Sequence, residues 1–191
     1  MTDKKTQMTE RRQSLLTTMQ LKYDAGITCT NCSGLCCSFV ANSMQITPLE
    51  AKELWTFLKQ QKRWNKHLKE TLQQTINDYG LDKPMPGDGK RVFSRRTYTC
   101  PFYQEGPLGC SISPKAKPYG CLAFNPTRKG ASEGKGCASD QIALRHREDQ
   151  FKEKEHRLNQ KLKTDLDLFW DKANIPEALL EVGSKLESDT T

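Results

Sequence analysis

Cys29-Thr30-Asn31-Cys32-Ser33-Gly34-Leu35-Cys36-Cys37 places four thiols within nine residues, and Cys100, Cys110, Cys121 and Cys137 supply four more. A Cys-x-x-Cys turn lets two sulfurs converge on one centre, and Gly34 permits a tight backbone turn beside it. Thiolate is the soft ligand that selects zinc, copper(I) or iron–sulfur clusters. One such cysteine reads as a small buried hydrophobe. Eight of them, half in a single short run, read as metal ligands. The candidate ligands are therefore Cys29, Cys32, Cys36, Cys37, Cys100, Cys110, Cys121 and Cys137.

Adjacency constrains this set. Cys36 and Cys37 have Cα atoms about 3.8 Å apart. Their side chains diverge by roughly 100° on a helix and roughly 180° on a strand. The pair is therefore expected to split, one sulfur joining Cys29 and Cys32 and the other facing a second site or standing as a spare thiol. The later cysteines complete the sites and pin the first cluster against residues 100–137. That stretch is rich in Gly and Pro and cannot sustain long helix or sheet. Ligation is the simplest means of ordering it, so chelation is expected to loosen the whole protein. Zn²⁺, Fe and a [4Fe-4S] cluster all suit such donors.

Bulk properties frame this reading. The chain has 191 residues, 35% of them apolar, so its core is thin for its length. Mean hydropathy is -0.76. The N-terminus has no apolar run after its charges, which argues against a signal peptide. No stretch approaches the roughly 20 apolar residues of a membrane span. Reduced thiols in the cytoplasm are the expectation, with an oxidised disulfide framework the lesser reading. Net charge is +7 with acids interleaved throughout, which fits a solvated surface better than nucleic-acid binding. His67, His146 and His156 sit on charged stretches with no ligand spacing and read as surface residues.

Outward from the cysteines, the pattern is helical. Residues 1–8 read as a disordered tail, and Thr9 to about Leu21 as a short helix with Leu15, Leu16 and Met19 on one side. Thr47-Pro48-Leu49-Glu50 is a capping box with Pro at the first helical position. It predicts a helix from Pro48 towards Gln60, with Leu54, Trp55 and Leu58 inward. A break near Arg63–Asn65 precedes a second helix carrying Leu68, Leu72, Ile76 and Tyr79, closed by Gly80. Arg91 to Thr99 reads as a short strand. Ser139 or Asp140 caps a long amphipathic helix with Leu144, Phe151, Leu158, Leu162, Leu166 and Phe169 on one face. That helix is expected to lie on the domain, and a protein partner could use it.

The expectation is a small single domain, mainly α, with few short strands and a loop-rich, metal-stapled cysteine core. Residues 9–138 form the metal-binding part, 139–175 the packed amphipathic helix and 176–191 a tail.

The ordered motifs resemble the YkgJ-family cysteine cluster proteins, the CxxCxxCC zinc- or iron-chelating domain. The resemblance runs over about residues 29–126. It rests on Cys29-x-x-Cys32, Gly34-x-Cys36-Cys37, Ile46-Thr47-Pro48-Leu49-Glu50, Cys100-Pro-Phe102, Cys110-Ser-Ile112 and Lys117-Pro118-x-x-Cys121-x-x-Phe124. It departs where Ser33 lengthens the first cluster by one residue, and the Cys110–Cys121 interval is also one residue longer. Ser113 stands for Tyr, and Lys117 and Leu122 stand for Arg, so the planar bidentate anion contacts of arginine are absent there.

The resemblance implies metal chelation, by zinc or iron. A related pattern in flagellin lysine N-methylases implies an iron–sulfur cluster, which keeps open an iron–sulfur enzyme or accessory protein in protein modification. No Gly-rich cofactor loop and no acid/base pair is present, so no catalytic residue is assigned. A zinc-stapled nucleic-acid or protein interaction module is a further alternative, and a redox role for Cys29-x-x-Cys32 a minor one because no βαβ pattern surrounds it.

Overall fold

A computed structural model of the chain describes residues 10–28, 34–83, 95–104, 109–131 and 136–188. Six helices and two small sheets account for its regular structure among those residues: α1 (Gln13–Asp24), β1 (Gln45–Ile46), α2 (Pro48–Gln60), α3 (Lys66–Tyr79), α4 (Tyr119–Ala123), β2 (Phe124–Pro126), β3 (Cys137–Ser139), α5 (Gln141–Asp165), β4 (Ala173–Asn174) and α6 (Ile175–Ser188). The protein is mainly helical with few short strands, as its sequence predicts. The expected tail at 1–8 lies outside the described residues.

Helix α2 begins at the capping box. Glu50 N donates to the Thr47 hydroxyl at 3.3 Å, and Thr47 N donates back to the Glu50 carboxylate at 3.0 Å. Asn65 caps α3 by accepting from Leu68 N at 3.0 Å, and Gly80 ends it in the left-handed region at φ 56°. Asp140 caps α5 by accepting from Ala143 N at 3.0 Å. That hydrogen bond, with Lys22 nearby, holds the Asp140 carboxyl below its usual range.

The main core joins α2, α3, α5 and α6. Leu54, Leu58, Leu72, Leu162, Leu166, Leu179 and Val182 are buried in it, together with Phe102 and Ile112 from the cysteine loop. A smaller cluster places Leu15 of α1 against Tyr119, Leu122 and Ala123 of α4.

The C-terminal expectation is corrected. Over its described residues the expected tail at 176–191 is a helix, Ile175–Ser188, in which Ile175, Ala178, Leu179 and Val182 are buried. Ile175, Leu179, Val182 and Leu186 step by four, three and four, which is one helical face. The close fit is visible at Gly183, where an added Cβ would run into the Trp64 ring. Trp64 in turn packs edge-on against Trp55, with centroids 6.5 Å apart, and donates to Glu187 at 3.0 Å. Helix α5 is correspondingly shorter than expected. It stops at Asp165, and Phe169 beyond it is 86% exposed rather than on the packed face.

Sheets contribute little. Strand β1 pairs antiparallel with β4 through Gln45↔Asn174 and Ile46↔Ala173, and β2 with β3 through Phe124↔Ser139, Asn125↔Ala138 and Pro126↔Cys137. The strand expected over 91–99 is not seen across its described part, residues 95–99. Its backbone bonds go to an irregular loop: Tyr98 N donates to Asn42 O at 2.9 Å, and the Asn42 amide donates to Tyr98 O at 2.9 Å.

Candidate metal centre

The segment holding Cys36 and Cys37 is a short 3-10 turn, Leu35–Cys37, entered through Gly34 at φ 74°. Two contacts dock it. Cys100 N donates to Cys37 O at 2.7 Å, and Phe39 N donates to the Thr99 hydroxyl at 3.1 Å. The buried Tyr98 anchors the same strip: its hydroxyl donates to Met44 O at 2.7 Å and accepts from Ile175 N at 3.1 Å. Cys37 and Cys100 are thus brought together by backbone rather than by sheet.

Cys110 arrives by a chain reversal. Tyr103 and Cys110 form an isolated antiparallel bridge, and Ser111 N donates to Phe102 O at 2.9 Å. Arg63 clamps the return by donating to Ser111 O at 2.7 Å. The reversal touches the first cysteine turn at two glycines. A Cβ on Gly34 would fall 2.9 Å from Gly109 Cα and 2.6 Å from the Tyr103 ring, so no larger residue fits.

Cys121 is carried by α4, which a buried polar network holds in place. Tyr119 N donates to Glu50 at 2.9 Å, so the capping carboxylate of α2 also anchors α4. Arg12 donates to Lys117 O at 2.9 Å and to Glu53 at 2.6 Å. Arg11 also pairs with Glu53, and Arg147 with Glu155. Arg147 reaches Arg11 O at 3.0 Å, and its guanidinium lies 3.4 Å from the Tyr119 ring centroid. Three buried arginines thus surround the helix that presents Cys121. Sequence reasoning missed them because a charged side chain reads as surface by default.

The half-buried thiols influence one another. The Cys36 thiol is drawn down to about 7, chiefly because the Cys37 thiol hydrogen-bonds to it, against an opposing push from burial. Cys37 is pushed well up by the same bond, then by burial and by the nearby Cys36, Cys100 and Cys121. Cys100 is pushed up to about 12 by burial, with Cys110 and Cys36 adding to it. Cys121 is pushed up by burial and then by Cys100 and Cys110. Lys117 is the cation that favours the thiolate at Cys36, Cys100 and Cys121.

Five of the eight predicted ligands, Cys36, Cys37, Cys100, Cys110 and Cys121, therefore share one neighbourhood. Cys36 and Cys37, expected to serve different sites, lie on one 3-10 turn and act on each other's protonation, Cys36 drawn down and Cys37 pushed up. Cys137 is half-buried on β3 opposite Pro126. Cys29 and Cys32 lie outside the described residues. His67, His146 and His156 are exposed on α3 and α5.

Among the described residues, no three His, Cys, Asp or Glu side chains form a ready metal shell. The donor chemistry nevertheless fits a soft cation. Several thiols crowd one half-buried region beside one lysine, an arrangement in which thiolates repel unless a cation sits among them.

Comparison with protein-family models, with curated proteins and with solved structures finds no match. No helix among the described residues is long and apolar enough to cross a membrane.

Proposed function

We propose that this chain is a cysteine-cluster metal-binding protein that holds zinc or iron, the latter singly or as an iron–sulfur cluster. The observation that carries the reading is the nearness of Cys36, Cys37, Cys100, Cys110 and Cys121, from four separate chain segments, with Lys117 acting on Cys36, Cys100 and Cys121. The order of cysteine motifs, which resembles the YkgJ-family pattern, supports it independently. Cys29 and Cys32 would join the described thiols, and Cys137 would close the set from the β2–β3 hairpin.

The residues have distinct parts in this reading. Cys36, drawn down to about 7 by its bond with Cys37, is disposed to ligate as thiolate. Cys100 and Cys121 give up their protons to the metal rather than to water, because burial disfavours the bare thiolate. Lys117 offsets the net negative charge of a thiolate-rich shell. Bound zinc would supply structural cross-linking alone, and an iron–sulfur cluster would add electron transfer.

Purification without oxygen, followed by elemental analysis and a visible spectrum, tests the proposal. Zinc near one or two atoms per chain, or iron with inorganic sulfide and a brown colour, is expected. Metal-free protein with eight titratable thiols would refute it.

A further inference from the structure

Met44 joins two of the segments that bring thiols to the cysteine side. Its backbone is fixed at both ends: its N–H donates to the Asn42 side chain at 3.1 Å, and its carbonyl accepts from the Tyr98 hydroxyl at 2.7 Å. Tyr98 stands two residues before Cys100. The Met44 side chain, half-buried, ends on α4. A Cβ built on Gly120 would meet both Met44 Sδ and Met44 Cε at 2.8 Å, so the bare backbone of Gly120 leaves the room that the thioether occupies. Gly120 directly precedes Cys121.

Two further observations tie Met44 to the same thiols. The Tyr98 hydroxyl is pushed up by burial first and then by Cys100 and Cys121, so both thiols stand within electrostatic reach of the group that holds Met44 O. Met44, Cys100 and Cys110 also pack against one core cluster. A thioether sulfur is thus fixed among thiol-bearing segments.

Its chemistry differs from theirs. A thioether has no proton to lose and brings no charge, so it adds a donor where a further thiolate would be repelled. Zinc takes thiolate, imidazole or carboxylate, and iron–sulfur clusters take thiolate. Thiolate together with thioether selects copper(I).

We propose that Met44 is a neutral sulfur ligand which, with Cys100 and Cys121, fits the centre to copper(I). This rests on the reading of the cysteine side as a metal centre and adds a soft monovalent ion to the metals it takes. Binding releases the two thiol protons to buffer and leaves the oxidation state of copper unchanged. Two thiolates around a monovalent ion carry one net negative charge, which Lys117, acting on Cys100 and Cys121, offsets.

The test is titration of the full chain, purified without oxygen, with copper(I) held by a chromophoric chelator, and separately with zinc against a zinc indicator. Met44→Leu keeps the apolar volume and drops the sulfur. It is expected to weaken copper(I) binding at least ten-fold while zinc binding and the circular dichroism spectrum stay unchanged. Met19→Leu, on α1, should alter neither metal. Copper(I) bound equally by the native chain and Met44→Leu would overturn the proposal, and so would equal weakening of both metals, which marks a packing role. Zinc binding without copper(I) binding would overturn it and leave the metal centre standing. Uptake of neither metal would remove both.

Discussion

The helical side of the molecule and its cysteine side are ordered by different means. Helices α2, α3 and α6 bury Leu54, Leu58, Leu72, Leu179 and Val182 against one another and carry their own caps. The cysteine side, residues 34–44 and 95–123, has one five-residue helix and no strand longer than β1 among its described residues. Single backbone bonds, a glycine-to-glycine contact and a buried arginine network hold it. Apolar burial, at about 25 cal/mol per Å², makes the first side self-sufficient. The second adds fewer apolar side chains, Phe102 and Ile112 to the main core and Tyr119, Leu122 and Ala123 to the smaller cluster, and under the proposed function ligation supplies further order.

On the proposed function, the largest expected effect comes from removing the metal. Structural zinc contributes on the order of 10–16 kcal/mol in small thiolate domains, so a strong chelator, or Cys100→Ser with Cys121→Ser, should disorder the cysteine side. Circular dichroism should then keep most of its helical signal while proteolysis opens sites between residues 95 and 123. Equal loss of all helices would erase the distinction between the two sides.

Next come the residues that join the halves. Glu53→Gln leaves the buried Arg11 and Arg12 guanidiniums without their carboxylate. A cost of about 3–5 kcal/mol in denaturant unfolding is expected. It should be accompanied by weaker metal retention, because Arg12 also holds Lys117 O ahead of Cys121. Leu179→Ala acts on the helical side alone and should cost about 2–5 kcal/mol with metal content unchanged. Thr47→Ala removes the cap of α2 and should cost about 1 kcal/mol, read as a small fall in melting temperature.

The two sides also differed in how far they could be read in advance. The Thr47–Glu50 box, the Asn65–Gly80 helix and the Asp140 cap were legible because local hydrogen bonds and helical spacing decide them. Helix α6 carries the same periodicity, with Pro176 in its first turn, yet it follows so many charged residues that its apolar face was easily passed over. On the cysteine side, the candidate ligands were picked out by spacing. Their mutual placement was not, because it depends on contacts between distant segments: Cys37 with Cys100, Gly34 with Gly109, Glu50 with Tyr119. Arg11, Arg12 and Arg147 left no sequence signal, since nothing local distinguishes a buried arginine from a surface one.

Hydrogen exchange on the protein as purified without oxygen, before and after chelation, tests the central claim most directly. The account predicts that amides of residues 34–44 and 98–123 lose protection when metal is withdrawn, while α2, α3 and α6 keep theirs. Protection that is unchanged by chelation across the cysteine side would contradict it.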